Sequence, residues 1–307
     1  MRKYSRREMA KQLACMSAGT LVWPSHWSAS TDSIRTRKIS SSGEQLPIVG
    51  LGTWQSFDVG SSSTMREQLE QVLSAMKQKG GKVIDSSPMY GSSEGVVGDL
   101  TAKMSVQSSF FYATKVWTSG RQSGIRQMET SMKRMRRKQM DLMQIHNLVD
   151  LQTHIKTLRA WKENGKIRYW GITHYTNSSH ERLAGIVKAE KPDFVQFNYS
   201  INQRNAEKRL LGTAKDHGTA VLINRPYDGG SLFRASKGKE LPAWCKEADI
   251  HSWGQYFLKY ILAHEAVNCA IPGTSKPHHL LDNMGAGFGR LPDAALRKRM
   301  LQHLNSM

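Results

Sequence analysis

Short apolar runs alternate with longer amphipathic stretches along most of this chain. Eight runs read as strands: Val49–Thr53, Val83–Ser86, Phe110–Val116, Leu142–His146, Tyr169–Thr173, Phe194–Asn198, Ala220–Asn224 and Asn268–Pro272. Most are continuously apolar rather than alternating, the pattern of parallel strands buried on both faces. Between them, Met65–Lys79, Ile125–Arg137, Leu151–Asn164, Ser178–Glu190, Glu207–His217 and Ser252–His264 read as helices. Met65, Leu69, Val72, Leu73 and Met76 mark one apolar helical face. Gly80, Gly165 and Gly218 stand where helices should stop. Eight strand–helix units predict an α/β fold, a (β/α)8 TIM barrel. A doubly wound sheet is the alternative, but no G-x-G-x-x-G follows the first strand. RKISSSGEQLPIVG, before that strand, predicts a hairpin around Ser42 and Gly43.

The first thirty residues fall outside this rhythm. A basic start, RKYSRREMAK, precedes the weakly apolar LACMSAGTLVW and the small residues Ser28 to Ser30. Adjacent Arg6 and Arg7 in SRREMAK resemble a twin-arginine export signal, which predicts passage through the twin-arginine translocase to the periplasm. The apolar run is far short of the roughly 20 residues a membrane span needs. The expected division is therefore 1–32 as export signal and linker, and 33–307 as barrel.

Composition adds limits. One barrel needs about 250 residues, and 307 are present. The net charge is +19; residues 1–38 carry eight Lys or Arg against Glu8 and Asp32, a net of +6, which leaves +13 for the rest. Such a surplus attracts anions, but no nucleic-acid module is present, and KRMRRK at 133–138 reads as a solvated helix face. Cys15, Cys245 and Cys269 fit neither a metal site nor a disulfide framework, and no metal is expected.

Chemistry gathers at the ends of the runs. Asp85, Lys115 and His146 close the second, third and fourth, and Tyr90 lies just past the second. In a parallel barrel these ends converge on one mouth. An adjacent ammonium should lower a phenol's pKa and make it a proton donor near neutrality, a carboxylate holds the ammonium, and an imidazole can orient a carbonyl oxygen. Trp54, Trp117 and Met89 should edge the same mouth and suit an apolar substrate. PGTSK at 272–276, opening a helix through Pro277, offers backbone N–H groups to an anion.

VIDSSPMYG, ATKVW and MDLMQIHN, with IVGLGTW, GKIRYWGITHY, PDFVQFNYS and PGTSKPHHLLDN, resemble in order and spacing the aldo-keto reductase family. The resemblance covers about residues 36 to 290. It implies reduction of a small-molecule aldehyde or ketone by NADPH, or by NADH. Tyr90 would be the general acid, Lys115 its tuner, Asp85 the partner of Lys115 and His146 the orienter. The family's hairpin plugs the barrel bottom. The implied cofactor positions are Thr53, Gln196 for the nicotinamide amide, and Thr173 and His174 where the family has Ser–Asn. Asn224 and Arg225 stand where it commonly stacks a Tyr on the ring, with Tyr227 close by. Thr274, Ser275, Lys276 and His279 would take the phosphates, and Asn283 the adenine. A cofactor-binding sensor on the same barrel, and a basic barrel that binds anionic polymers, are the rival functions.

Overall fold

The computed structural model describes residues 33–307; the export-signal reading and Cys15 lie outside them. Two short strands, β1 (Thr36–Lys38) and β2 (Gln45–Pro47), pair antiparallel as the expected hairpin. Eight parallel strands follow in one sheet, in sequence order. They are β3 (Leu51–Gly52), β4 (Val83–Asp85), β5 (Phe111–Val116), β6 (Met140–His146), β7 (Ile167–Thr173), β8 (Phe194–Asn198), β9 (Ala220–Asn224) and β10 (Cys269–Ala270). Parallel bridges from Val49 to Ala270 and from Gly52 to Gly273 bring the first strand to the last. The result is the (β/α)8 barrel. Its first and last strands are shorter than the apolar runs suggest, two residues each, although backbone bonds from Gly50 to Ala270 (2.9 Å) and from Gly52 to Pro272 (3.2 Å) still join them.

The helices are α1 (Ser63–Gln78), α2 (Ser93–Lys103), α3 (Arg121–Arg134), α4 (Leu151–Glu163), α5 (His180–Glu190), α6 (Leu210–Asp216), α7 (Ser231–Ala235), α8 (Trp253–Leu262), α9 (Pro277–Gly285) and α10 (Ala294–Asn305). In α1, Leu69, Val72, Leu73 and Met76 face the sheet and are buried. The three glycines expected as helix stops all take positive φ, at +76°, +69° and +66°. The helix expected over Glu207–His217 is broken: a 3-10 turn over Asn205–Lys208 meets α6 at Arg209, whose φ of −152° is not helical. The tail after Gly289 forms α10. Asp293 caps it, Met300 is buried, and Arg297 donates to the Tyr260 carbonyl (3.1 Å) and to Glu207 (2.9 Å).

Two apolar layers result. One lies between sheet and helices. The other fills the barrel from below: Val83, Phe111, Phe194, Ala220 and Cys269, all at the first residues of their strands, meet Ile39 and Leu46 of the hairpin. The hairpin thus closes the bottom. Arg37 fastens it there by donating to the carbonyls of Leu262, the last residue of α8, and of His264 and Val267 in the turn beyond it. Cys245 and Cys269 are buried free thiols. The basic run is divided among neighbours: Arg134 faces Glu94, Arg136 pairs with Asp99, and Arg137 covers the Tyr112 ring.

Candidate active site

With the bottom plugged, the open end is the one where the strands finish. Asp85 ends β4, Lys115 is the next-to-last residue of β5, and His146 ends β6. Lys115 Nζ donates to Asp85 Oδ2 (2.6 Å) and to the Ser86 carbonyl (2.6 Å). Both members of this pair are buried. Burial alone would drive the ammonium toward neutrality, but the Asp85 carboxylate opposes it, and the Lys115 pKa lies above the ordinary lysine value.

Tyr90 hangs over this pair, with Lys115 Nζ 5.0 Å from its ring centroid. Its loop is pinned on both sides. Asp58 Oδ1 accepts from the Ser92 amide and hydroxyl, each at 2.8 Å. Gly91 takes φ +57° against the same carboxylate, where an added Cβ would meet Asp58 oxygens at 2.2 and 2.3 Å. The expectation of an acidified phenol needs correcting. Burial raises the Tyr90 pKa, the Lys115 ammonium opposes it, and the net is upward. Tyr90 therefore keeps its proton in the free protein.

The His146 ring stands 6.0 Å from that of Tyr90, edge to face. Burial first, then the charge of Lys115, holds its pKa down at about 3. It is a neutral imidazole at every physiological pH. Its Nδ1 contacts Ser87 Oγ at 3.1 Å. Ser87 Oγ also accepts from the Met89 amide (3.4 Å); when the Ser87 hydroxyl donates to Nδ1, the ring proton stands on Nε2. Ser87 was missed from sequence, although it lies between two residues that were singled out.

Gln144 was also missed. It sits two residues before His146, on the same face of β6. Its Nε2 donates to Asp85 Oδ1 (3.0 Å), as does Gln196 Nε2 (2.9 Å). Asp85 thus accepts from one ammonium and two amides drawn from three other strands. Gln196 is tied further to Gln144 Oε1 (3.2 Å), Thr173 Oγ1 (3.1 Å) and Asn224 Nδ2 (3.2 Å).

The other expected positions divide. Thr53, directly after β3, is wholly buried and donates its hydroxyl toward the Asp85 carbonyl (3.0 Å) and the Ser86 hydroxyl (2.9 Å). His174 accepts at Nδ1 from the Tyr175 amide and Thr176 hydroxyl. Arg225 is exposed, its guanidinium 5.8 Å from the Tyr175 ring. Tyr227 does not reach the mouth: it packs on Phe233 and gives its hydroxyl to Asn283, which is buried. Lys276 and His279 are exposed at the start of α9, Ser275 is half-buried, and Thr274 Oγ1 accepts from the Lys276 amide (3.0 Å). Trp54 (57%), Trp117 (42%) and Met89 (41%) are unusually exposed for their size and rim the opening.

Several known proteins are similar to this chain. Methylglyoxal reductase YeaE of Escherichia coli (strain K12) is 26% identical over 258 residues, which is 81% of this chain and 89% of that protein. Aldo-keto reductase yakc [NADP(+)] of Schizosaccharomyces pombe is 23% identical and aligns over 87% of this chain and 90% of its own. An aldo/keto reductase from Klebsiella pneumoniae, solved in complex with NADP and acetate, superposes with a TM-score of 0.73 at 22% identity, covering 89% of this chain and 95% of that one. The model of the aldo/keto reductase family matches residues 48–298. That match takes in every strand of the barrel and both edges of its mouth, and on it the chain belongs to the aldo/keto reductase family.

Proposed function

We propose that the protein reduces an aldehyde or ketone to the alcohol with NADPH, Tyr90 protonating the oxygen. One observation carries this reading: a phenol, a buried Lys–Asp pair and a neutral imidazole meet at the barrel mouth. The upward pKa of Tyr90 is consistent with the role. A donor must still hold its proton when a strongly basic alkoxide forms beside it. The Lys115 ammonium then stabilises the phenolate left behind, and Asp85 keeps that ammonium charged and fixed. The Nε2–H of His146 is the donor that orients the carbonyl oxygen.

The residues present fit a nicotinamide cofactor. A buried acceptor without a partner, Asn224 Oδ1, lies in the amide network, and exposed Lys276 stands at a helix start that favours an anion. When bound, the cofactor supplies the hydride that reaches the carbonyl carbon. Thr173, His174, Gln196, Asn224 and Arg225 would surround the nicotinamide. Thr274, Ser275, Lys276 and His279 would face the phosphates. The relatives' names favour a small carbonyl substrate, and Trp54, Met89 and Trp117 favour one with an apolar part. Tyr90→Phe tests the reading. Turnover of an aldehyde panel should nearly vanish while NADPH still quenches the tryptophan fluorescence; retained turnover refutes it.

Export is proposed alongside, on the Arg6–Arg7 pattern alone. Replacing both by Lys should hold the protein in the cytoplasm on cell fractionation; unchanged periplasmic recovery refutes the twin-arginine route.

A further inference from the structure

The amide network leaves one atom over. Gln196 is full: Nε2 donates to Asp85 and Gln144, and Oε1 accepts from Thr173 and Asn224. The single hydroxyl hydrogen of Thr173 is spent on Gln196. His174 Nδ1 already accepts twice. Asn224 Nδ2 donates to the His174 carbonyl (3.1 Å) and to Gln196 Oε1 (3.2 Å). Both partners are oxygens, so the Asn224 amide cannot be turned over without setting oxygen against oxygen. Its Oδ1 is therefore fixed in place, buried, and without a hydrogen-bond partner. Native proteins rarely leave such an acceptor empty unless something else fills it.

We propose that Asn224 Oδ1 accepts a hydrogen bond from the carboxamide N–H2 of the nicotinamide. This rests on the NADPH reading above. The carboxamide brings what the site lacks, a donor. Asn224 ends β9, and through Gln196 it is joined to the Asp85 that holds Lys115. In this chain a directional bond to the carboxamide stands where relatives of the resembled family stack an aromatic ring.

The 3-acetylpyridine analogue of NADP tests it, because a methyl replaces the amide nitrogen and the carbonyl stays. Binding is read by quenching of tryptophan fluorescence, without turnover. The wild-type protein should bind NADP roughly five- to hundred-fold more tightly than the analogue, the range for a buried acceptor left unpaired. Asn224→Ala should weaken NADP binding more than analogue binding, so that the ratio between the two falls toward one. Equal binding of the two by the wild type overturns the assignment with no variant needed. So does discrimination that survives in Asn224→Ala. Failure of the wild type to bind NADP at all would bring down the NADPH reading itself, and this assignment with it.

Discussion

Asp85→Asn should be among the most damaging single changes in the molecule, although Asn has almost the same shape. Asp85 Oδ2 faces the Lys115 ammonium at 2.6 Å, and Oδ1 faces the amide donors of Gln144 and Gln196 at 3.0 and 2.9 Å. An Asn has one N–H2 group, which must point at one set or the other. In either orientation a donor meets a donor. If it meets Lys115, a buried ammonium has lost its counter-charge, and breaking such a pair costs about 3–5 kcal/mol. For a domain of this size 1 kcal/mol corresponds to roughly 2–4 °C in Tm, so the melting temperature should fall by roughly 6–20 °C. Circular dichroism on the cofactor-free protein reads this directly. A second substitution sharpens the test. Lys115→Met on the Asp85→Asn background removes the ammonium, lets the Asn oxygen accept from the two glutamines, and frees its N–H2 for the Ser86 carbonyl. The double variant should melt above Asp85→Asn alone while remaining catalytically dead. A fall in Tm under about 2 °C for the single variant refutes the reasoning. So does a double variant whose loss is the simple sum of the two.

Three further outcomes follow from the same geometry. Ser87→Ala removes the donor to His146 Nδ1, and the lost bond should lower kcat roughly two- to twelve-fold with little change in KM; a 15N NMR spectrum still showing only the Nε2–H tautomer would refute the Ser87 role. His146, with a folded pKa of about 3 against an ordinary 6.5, contributes stability that is complete above about pH 6.5 and drains away as pH falls toward 3. His174, His180 and His264 shift in the same direction, so the urea midpoint should drop between pH 7.5 and 5; an unchanged or rising midpoint contradicts this. Trp117→Ala should raise KM for bulky aromatic aldehydes several-fold and leave short aliphatic ones nearly unchanged, and equal effects on both would remove the tryptophan from the substrate surface.

The barrel was legible because its signals are local. Apolar runs, glycine stops and the order Asp85, Tyr90, Lys115, His146 all survive in the sequence as spacing. The amide network was not, because it is made by closure. Gln144 and Gln196 meet Asp85 across 59 and 111 residues of chain. A glutamine inside an apolar strand gives no sign of which strand it will find. The direction of the Tyr90 shift was hidden for a related reason. An adjacent ammonium can be guessed from a motif, whereas the burial that outweighs it depends on how the whole loop packs. Asn224 read as a weak substitute for an aromatic ring until its neighbours fixed which way its amide must face.

The Arg37 fork at the barrel floor also decides where this chain tolerates shortening. A truncation that begins at residue 33 keeps the guanidinium on its three carbonyls and the hairpin in place. Moving the new start past Arg37, to Ile39, would uncork the floor and wet Val83, Phe111 and Cys269 from beneath.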